Sequence, residues 1–314
     1  MAKEQKFISV VAYVRNAGDQ IEYFLDHVMG TVSETFSKCE LILVNDGSTD
    51  DSMERIHGYF DAHPADYMVS IIRMGTHQGQ ESSMNAGRDM AIGDYVYEFD
   101  DLIVDYEDRM IAEAYRKCLE GQGHDIVAVA SSSRMRMTSR WFYQIFNQAS
   151  GSKGKLGQET FRLLSRRAIN RVKSMGTYIP YRKAVYMNCG LSTATLTYQS
   201  SQTGMTKHSR NDERAGLAMD SFIYFTDVME KISLTITGVF FVIAIVVLIY
   251  VIESYFTDPN LVSGWVSMMG FISIGFVGLF GLLSIVIKYL SVLVNLVFRH
   301  QRYLIEDVEK ISKN

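Results

Sequence analysis

The chain has 314 residues, 47% of them apolar and 21% charged, which excludes intrinsic disorder. Three prolines and 23 glycines exclude a collagen-like or Pro-rich chain, and a net charge of −4 gives no nucleic acid a reason to bind. Cys39, Cys118 and Cys189 lie far apart with no CxxC pair, which argues against a disulfide framework or a zinc site and for a reducing compartment.

Residues 7–14 are a continuous β-branched run that ends at Arg15, too short for a signal peptide. Helical spacing follows over 20–36, with Ile21, Phe24, Leu25, Val28 and Met29 on one face. Residues 40–44 are apolar again and stop at Asn45-Asp46-Gly47-Ser48. The pattern then predicts a helix over 51–60, a strand over 69–74, a helix over 81–91 and a strand over 95–99. A helix over 107–119 and a strand over 125–130 complete the alternation. Such alternation predicts an α/β fold with a mostly parallel sheet covered on both faces. Ligands of these sheets sit beyond the carboxyl ends of the strands, which singles out residues 12–19, 45–50, 74–80 and 100–105.

The C-terminal third changes character. Residues 232–252 and 259–287 carry no charge, and each is longer than the about 20 helical residues that cross a bilayer core. No Lys or Arg lies between 232 and 287, whereas Lys231 precedes and Lys288, Arg299, Arg302, Lys310 and Lys313 follow. The expected topology is therefore a multi-pass protein of the inner (plasma) membrane with both termini cytoplasmic. Residues 217–231 mix Phe222, Ile223, Phe225 and Val228 with Asp220, Asp227 and Glu230, as a helix lying on the membrane surface does. Gly275, Gly278, Gly281 and Ser284 recur at steps of three, either to pack on the first span or to make a homo-oligomer contact. The expected domains are a cytoplasmic unit over 1–211, an amphipathic interfacial helix over 212–231, a two-helix transmembrane hairpin over 232–298 and a cytoplasmic tail over 299–314.

No GxxxxGK[ST] and no GxGxxG follows a strand. The strand ends carry acids instead: Asp46, Asp50 and Asp51, then Glu98, Asp100, Asp101 and Asp105. Clustered carboxylates repel, so a hard divalent cation, Mg²⁺ or Mn²⁺, is their natural partner. Helix capping accounts for Asp50, Asp51 and Asp105, whereas Asp46 and Asp100 each close an apolar strand and read as functional.

Three segments together resemble a family-2 glycosyltransferase with the nucleotide-binding fold called GT-A: residues 7–14 followed by Asn16, the run Leu-Val-Asn-Asp-Gly-Ser-Thr-Asp-Asp-Ser over 43–52, and Gly93-Asp94-Tyr95-Val96 leading to Asp100. The run Phe161-Arg162-Leu163-Leu164-Ser165-Arg166 and the two apolar segments narrow the resemblance to members that move a sugar from a nucleotide to dolichyl or undecaprenyl phosphate. The resemblance implies a nucleotide-sugar donor, a polyprenyl phosphate acceptor, a membrane partner and a metal. It places the donor on Ala12, Val14, Asn16, Asp46, Gly47, His77 and Gln80. It places the metal in the cluster Glu98, Asp100, Asp101 and Asp105, on Asp100 with Glu98 in the Glu98-x-Asp100 frame or on another pair if the motif carries a one-step gap, and catalysis on Asp100, Asp101 and Asp105. Counting from Gly93-Asp94 puts Leu102 where the second acid of the usual Asp-x-Asp motif belongs.

A phosphate acceptor needs positive charge rather than a base, since its second pKa is about 6. Arg134, Arg136, Arg140, Arg162 and Arg166 are the candidates, with Arg162 and Arg166 spaced as on one helix face. Two other readings compete. One is a processive polysaccharide synthase, for which Arg140-Trp141 fits and Met137 does not. The other is a catalytically silent lipid-binding scaffold.

Overall fold

This computed structural model describes residues 3–132, 159–175, 181–200, 228–257, 264–297 and 303–311. The chain divides into two compact units, one of residues 1–224 with 300–314 and one of residues 225–299.

The first unit is built on an eight-stranded sheet of order β7-β5-β6-β4-β1-β2-β3-β8. Its strands are β1 Glu4–Val14, β2 Phe36–Asn45, β3 Met68–Met74, β4 Tyr95–Phe99, β5 Ile126–Ser131, β6 Glu159–Ser165, β7 Thr193–Tyr198 and β8 Ile305–Lys310. The four central strands, β4, β1, β2 and β3, run parallel, as the continuous apolar runs require of strands buried on both faces. Ile8, Val10, Leu41, Leu43, Val69 and Ile71 are all buried in the core beneath them. All five strands expected from the sequence are present, as are the four helices: α1 Gly18–Phe24, continued by a wider turn over Leu25–Met29 and by α2 Gly30–Thr35; α3 Ser52–Ala62; α4 Gln80–Met90; and α5 Arg109–Leu119.

Three strands were not expected. β6 pairs antiparallel with β4 and β5, and β7 runs parallel to β5, so the sheet is mixed. β8 pairs antiparallel with β3 over Ser70–Met74, and the stretch expected as a free tail is thus the edge of the sheet. Its row of backbone donors and acceptors caps what would otherwise be an open edge on β3. Glu309 adds an ion pair to Arg73 at 2.7 Å. Helices α6 Arg166–Met175 and α7 Arg182–Asn188 follow β6.

The second unit holds α8 Val228–Thr257 and α9 Trp265–Val297, which meet through stacked rings of Phe240 and Phe280. Among the described residues one stretch, Met268–Leu290, is long and apolar enough to cross a membrane, and the apolar stretch Gly238–Val247 of α8 is shorter. The expectation of two spans therefore rests on one qualifying helix. Among the described residues a Cβ built at Gly275, Gly278 or Gly281 would meet no atom within 4 Å, so these three glycines do not mark a close approach of α8. Most of the expected interfacial helix, residues 212–227, lies outside the described residues.

Gly87 is where α4 presses closest on the sheet. A Cβ there would fall against Val11 Cγ1 and lie 2.7 Å from Val44 Cγ2. Both valines are fully buried, so neither methyl has room to retreat. Gly87→Ala is expected to cost about 1–3 kcal/mol by overpacking, against the small gain Ala gives an exposed helix. Denaturant unfolding of the purified chain measures it, and an unchanged midpoint would contradict the packing described.

Candidate active site

Two groups of side chains gather at the carboxyl ends of the parallel strands. The first surrounds Asp46, the residue after β2, whose N–H donates to the Val14 carbonyl of β1 at 3.0 Å. Its side chain is fully buried and accepts from four donors: Tyr13 Oη at 2.9 Å, His77 Nδ1 at 2.8 Å, Gln78 N at 2.8 Å and Gly79 N at 3.0 Å. The positive φ of Gly79, +86°, lets the turn after β3 fold back onto this carboxylate. Arg15 Nη1 closes the ring from outside, donating to the carbonyls of Asp46 and Gly47. Asn16, in the left-handed region at φ 47°, accepts from Thr49 N at 2.8 Å.

This geometry reassigns part of the expected donor set. Asp46 has no exposed surface and organises the His77–Gly79 turn. Ala12 and Val14 are fully buried in the core and expose no side-chain surface. Asn16, Gly47, His77 and Gln80 are partly exposed around the turn, where the sequence put them. The turn is also tied to β8: Gln78 Nε2 donates to the Leu304 carbonyl and its Oε1 accepts from Leu304 N, both at 2.7 Å, while Gly75 N donates to the same carbonyl at 3.0 Å.

The second group is a buried charge network. The β4–β6 register sets Glu98 opposite Arg162. Arg162 donates from Nη1 to Glu98 at 3.1 Å, from Nη2 to Asp100 Oδ2 at 2.8 Å and from Nε to Glu159 at 3.0 Å. Arg182, opening α7, donates from Nη1 to Glu98 at 2.9 Å, from Nη2 to Asp100 Oδ1 at 2.6 Å and from Nε to Glu81 at 2.9 Å. Glu81 also accepts from the Arg182 backbone N–H at 2.8 Å, which fixes where α7 starts. The other oxygen of Glu98 accepts from Tyr186 Oη at 2.8 Å, which itself accepts from Arg88 Nη1 at 2.9 Å. Arg88, Arg162, Arg182 and Glu98 are at most 1% exposed, and Asp100 is 8% exposed. Burial opposes ionisation of Asp100, but Arg162, Arg182 and Lys183 outweigh it and hold its carboxyl far below the usual carboxylate range.

Asp101 and Asp105 have other partners. Asp101 accepts from Ile103 N at 3.2 Å within its own turn, and Asp105 accepts from Tyr198 Oη and, at 2.9 Å, from Ser200 Oγ. Leu102 is 2% exposed in the core. Among the described residues no three His, Cys, Asp or Glu side chains are grouped to hold a metal. Asp100 and Glu98, the expected ligands, hold guanidiniums instead. As placed, these two described carboxylates do not fit a divalent ion.

The arginines also differ from expectation. Arg162 and Arg166 do not share a helix face: Arg162 lies in β6 and Arg166 opens α6. Four strand residues at ~3.3 Å each put them about 13 Å apart. Arg166 lies at the amino end of β4, where it donates to the carbonyls of Gly93 and Ala91 at 2.9 and 3.0 Å. Arg166 is thus remote from the strand ends, whereas Arg162 lies there but is buried with its guanidinium on Glu98, Asp100 and Glu159. Arg134, Arg136 and Arg140 lie outside the described residues. Arg182, Glu81, Tyr186 and Lys183 went unnoticed in the sequence, where the only signal is Arg182 and Tyr186 one helical turn apart.

The profile of Glycosyl transferase family 2 matches residues 9–190. An uncharacterised glycosyltransferase, sll0501, of Synechocystis sp. is 25% identical over 57% of this chain and 56% of its own length. The bactoprenol glucosyl transferase of Shigella phage SfX is 26% identical over 67% of this chain and 66% of its own length. The chain thus spans less than two thirds of either relative. Among solved structures, the mannosyltransferase PcManGT from Pyrobaculum calidifontis, in complex with GDP-Man and Mn²⁺, superposes with a TM-score of 0.52 at 15% identity, covering 70% of this chain and 64% of that one. Glucosyl-3-phosphoglycerate synthase from Mycobacterium tuberculosis gives 0.50 at 15% identity, covering 69% and 78%. These two likenesses concern the fold.

Removing one guanidinium from the network leaves buried carboxylates short of a partner. Arg162→Leu is expected to cost about 3–5 kcal/mol of stability. Because the Asp100 carboxyl is depressed in the folded state, its contribution is complete above the ordinary value near ~3.9 and is lost as pH falls below it. The penalty should therefore hold from pH 7 down to about 4 and shrink only below that. Urea unfolding across this range measures it; full stability at pH 7 would show that Arg162 is not the partner of Glu98 and Asp100.

Proposed function

The chain belongs to glycosyl transferase family 2, and from that premise we propose that it moves a sugar from a nucleotide-sugar donor to a polyprenyl phosphate at a cytoplasmic membrane face. The observation that carries the acceptor class is the state of the acids. A hydroxyl acceptor needs a general base near the sugar, because its pKa lies far above 7. Asp100, which closes β4, has one oxygen on Arg182 and the other on Arg162 and is a very weak base. An anionic phosphate needs no such base, since its second pKa of about 6 leaves it ionised near neutrality. The similarity to a bactoprenol glucosyl transferase points the same way.

In this reading the donor lies across the turn formed by Asn16, Gly47, His77 and Gln80. The acceptor phosphate oxygen attacks the anomeric carbon, the bond to the nucleoside diphosphate breaks, and a single displacement inverts the configuration. The chain's part is to orient the two anions and to hold fixed positive charge near them. Metal dependence, expected from the sequence and in keeping with the Mn²⁺ bound by PcManGT, finds no fitting ligand set among the described residues.

The membrane arrangement belongs to the same proposal. Met268–Leu290 supplies one span, and exposed apolar side chains along α8, Val239, Val242, Ile243, Val246 and Ile249 among them, support a second. The chain leaves the first unit before α8 and returns to it as β8, which supports both termini lying on one side.

Membranes containing the chain, supplied with undecaprenyl phosphate and a panel of labelled nucleotide sugars, should yield a lipid-extractable labelled product. The rate should rise with pH through about 6, following the acceptor's second ionisation, and should then level off. Label appearing only on water-soluble acceptors, or no turnover with any donor, would overturn the reading; the second outcome would favour the silent scaffold.

A further inference from the structure

The charge network bears on how this site meets the negative charge of its donor. A divalent ion at the end of β4 needs Asp100 to turn a lone pair toward it. Both oxygens of Asp100 are instead bound at 2.6 and 2.8 Å by guanidiniums that are themselves no more than 1% exposed. Freeing Asp100 for an ion would take from each buried guanidinium one of its three carboxylates, and would set a doubly charged cation beside two buried guanidiniums of the same sign. Glu98 offers no alternative, because it is fully buried and takes bonds from Arg162, Arg182 and Tyr186. The position two residues beyond Asp100 is Leu102, packed in the core, which supplies no oxygen ligand.

Positive charge is nevertheless present at this spot. Lys183 follows Arg182 at the start of α7, and its ammonium stands 3.8 Å from Asp100 Oδ2, longer than either guanidinium contact. Its side chain is 12% exposed, against 0% for Arg182. Of the three cations on Asp100 the lysine makes the longest contact and is the most exposed, so its three donors can turn to an incoming anion while the two short guanidinium bonds hold Asp100.

We infer that this chain binds its nucleotide donor without a divalent ion, and that Lys183, backed by the Arg162–Arg182 pair, supplies the positive charge for the donor diphosphate. This inference rests on the donor reading given above. It makes the carboxylates at the end of β4 anchors for cations of the protein itself, where the sequence pattern had suggested ligands for an ion.

The test uses the full-length chain in detergent with uridine diphosphate and guanosine diphosphate as probes. Their affinities are measured by calorimetry in EDTA and again with Mn²⁺, and Mn²⁺ binding is followed separately by its paramagnetic resonance signal. At least one nucleotide should bind with the same Kd, within about twofold, in both conditions, and the Mn²⁺ signal should show no stoichiometric bound ion. Lys183→Gln should weaken that nucleotide by about tenfold or more, as loss of a charge-assisted phosphate contact does, and Lys183→Arg should restore most of it. The wild-type comparison stands even where a variant folds poorly. Nucleotide binding that appears only with Mn²⁺, with one ion bound per chain, would overturn the inference while leaving the donor reading intact. Binding of neither nucleotide in either condition would overturn the donor reading and this inference with it.

Discussion

Ionised carboxylates and guanidiniums are costly to bury, and the active unit buries several together. Glu98 sits at the end of a core strand with no exposed surface, so the fold must deliver a compensating charge to it. Two elements do so from different directions: β6 brings Arg162 across the sheet by register, and α7 brings Arg182 from beyond. Each guanidinium reaches three carboxylates, and Glu98 and Asp100 are common to both. The placement of β6 against β4, the start of α7 and the first turn of α4 through Glu81 all depend on satisfying this network. Such an arrangement contributes little as net stability, whereas removing one partner from it is costly.

Asp46 plays a comparable part on the neighbouring strands with a different chemistry. Its carboxylate gathers two backbone N–H groups of one turn, a tyrosine from β1 and a histidine. The turn so formed is also gripped from outside by β8 through Gln78. The segment that leads from α9 into β8 is therefore hydrogen-bonded to the turn that Asp46 holds. A sheet edge that requires capping and a turn that requires a fixed position are served by one segment.

Much of this was legible beforehand, for identifiable reasons. The five strands from β1 to β5 and their helices follow from apolar runs and 3.6-residue spacing, which the doubly covered sheet imposes directly. Asp46 and Asp100 stand out because an acid closing an apolar strand needs a partner. The nature of that partner was not legible. Whether two acids meet an ion or an arginine depends on residues 62 and 82 positions away from Asp100, and no local pattern reports such a pairing. Arg162 and Arg166 misled for the same reason: the spacing of four suits a helix, but β6 forms because both its neighbours, β4 and β5, offer it edges. β8 was missed because its charged alternation, Ile305 to Lys310, reads as a solvated tail until an unpaired strand edge is placed beside it.

A double-mutant cycle between Asp100 and Arg182 measures the central interaction most directly. Asp100→Asn, Arg182→Gln and the double variant are compared with the parent by urea unfolding at pH 7, with and without Mn²⁺. A charge-assisted pair of this kind should give a coupling of about 1.5–3 kcal/mol in both conditions. Coupling near zero without the ion, together with stabilisation of the parent by Mn²⁺ that Asp100→Asn abolishes, would show that Asp100 serves a metal and not the arginine.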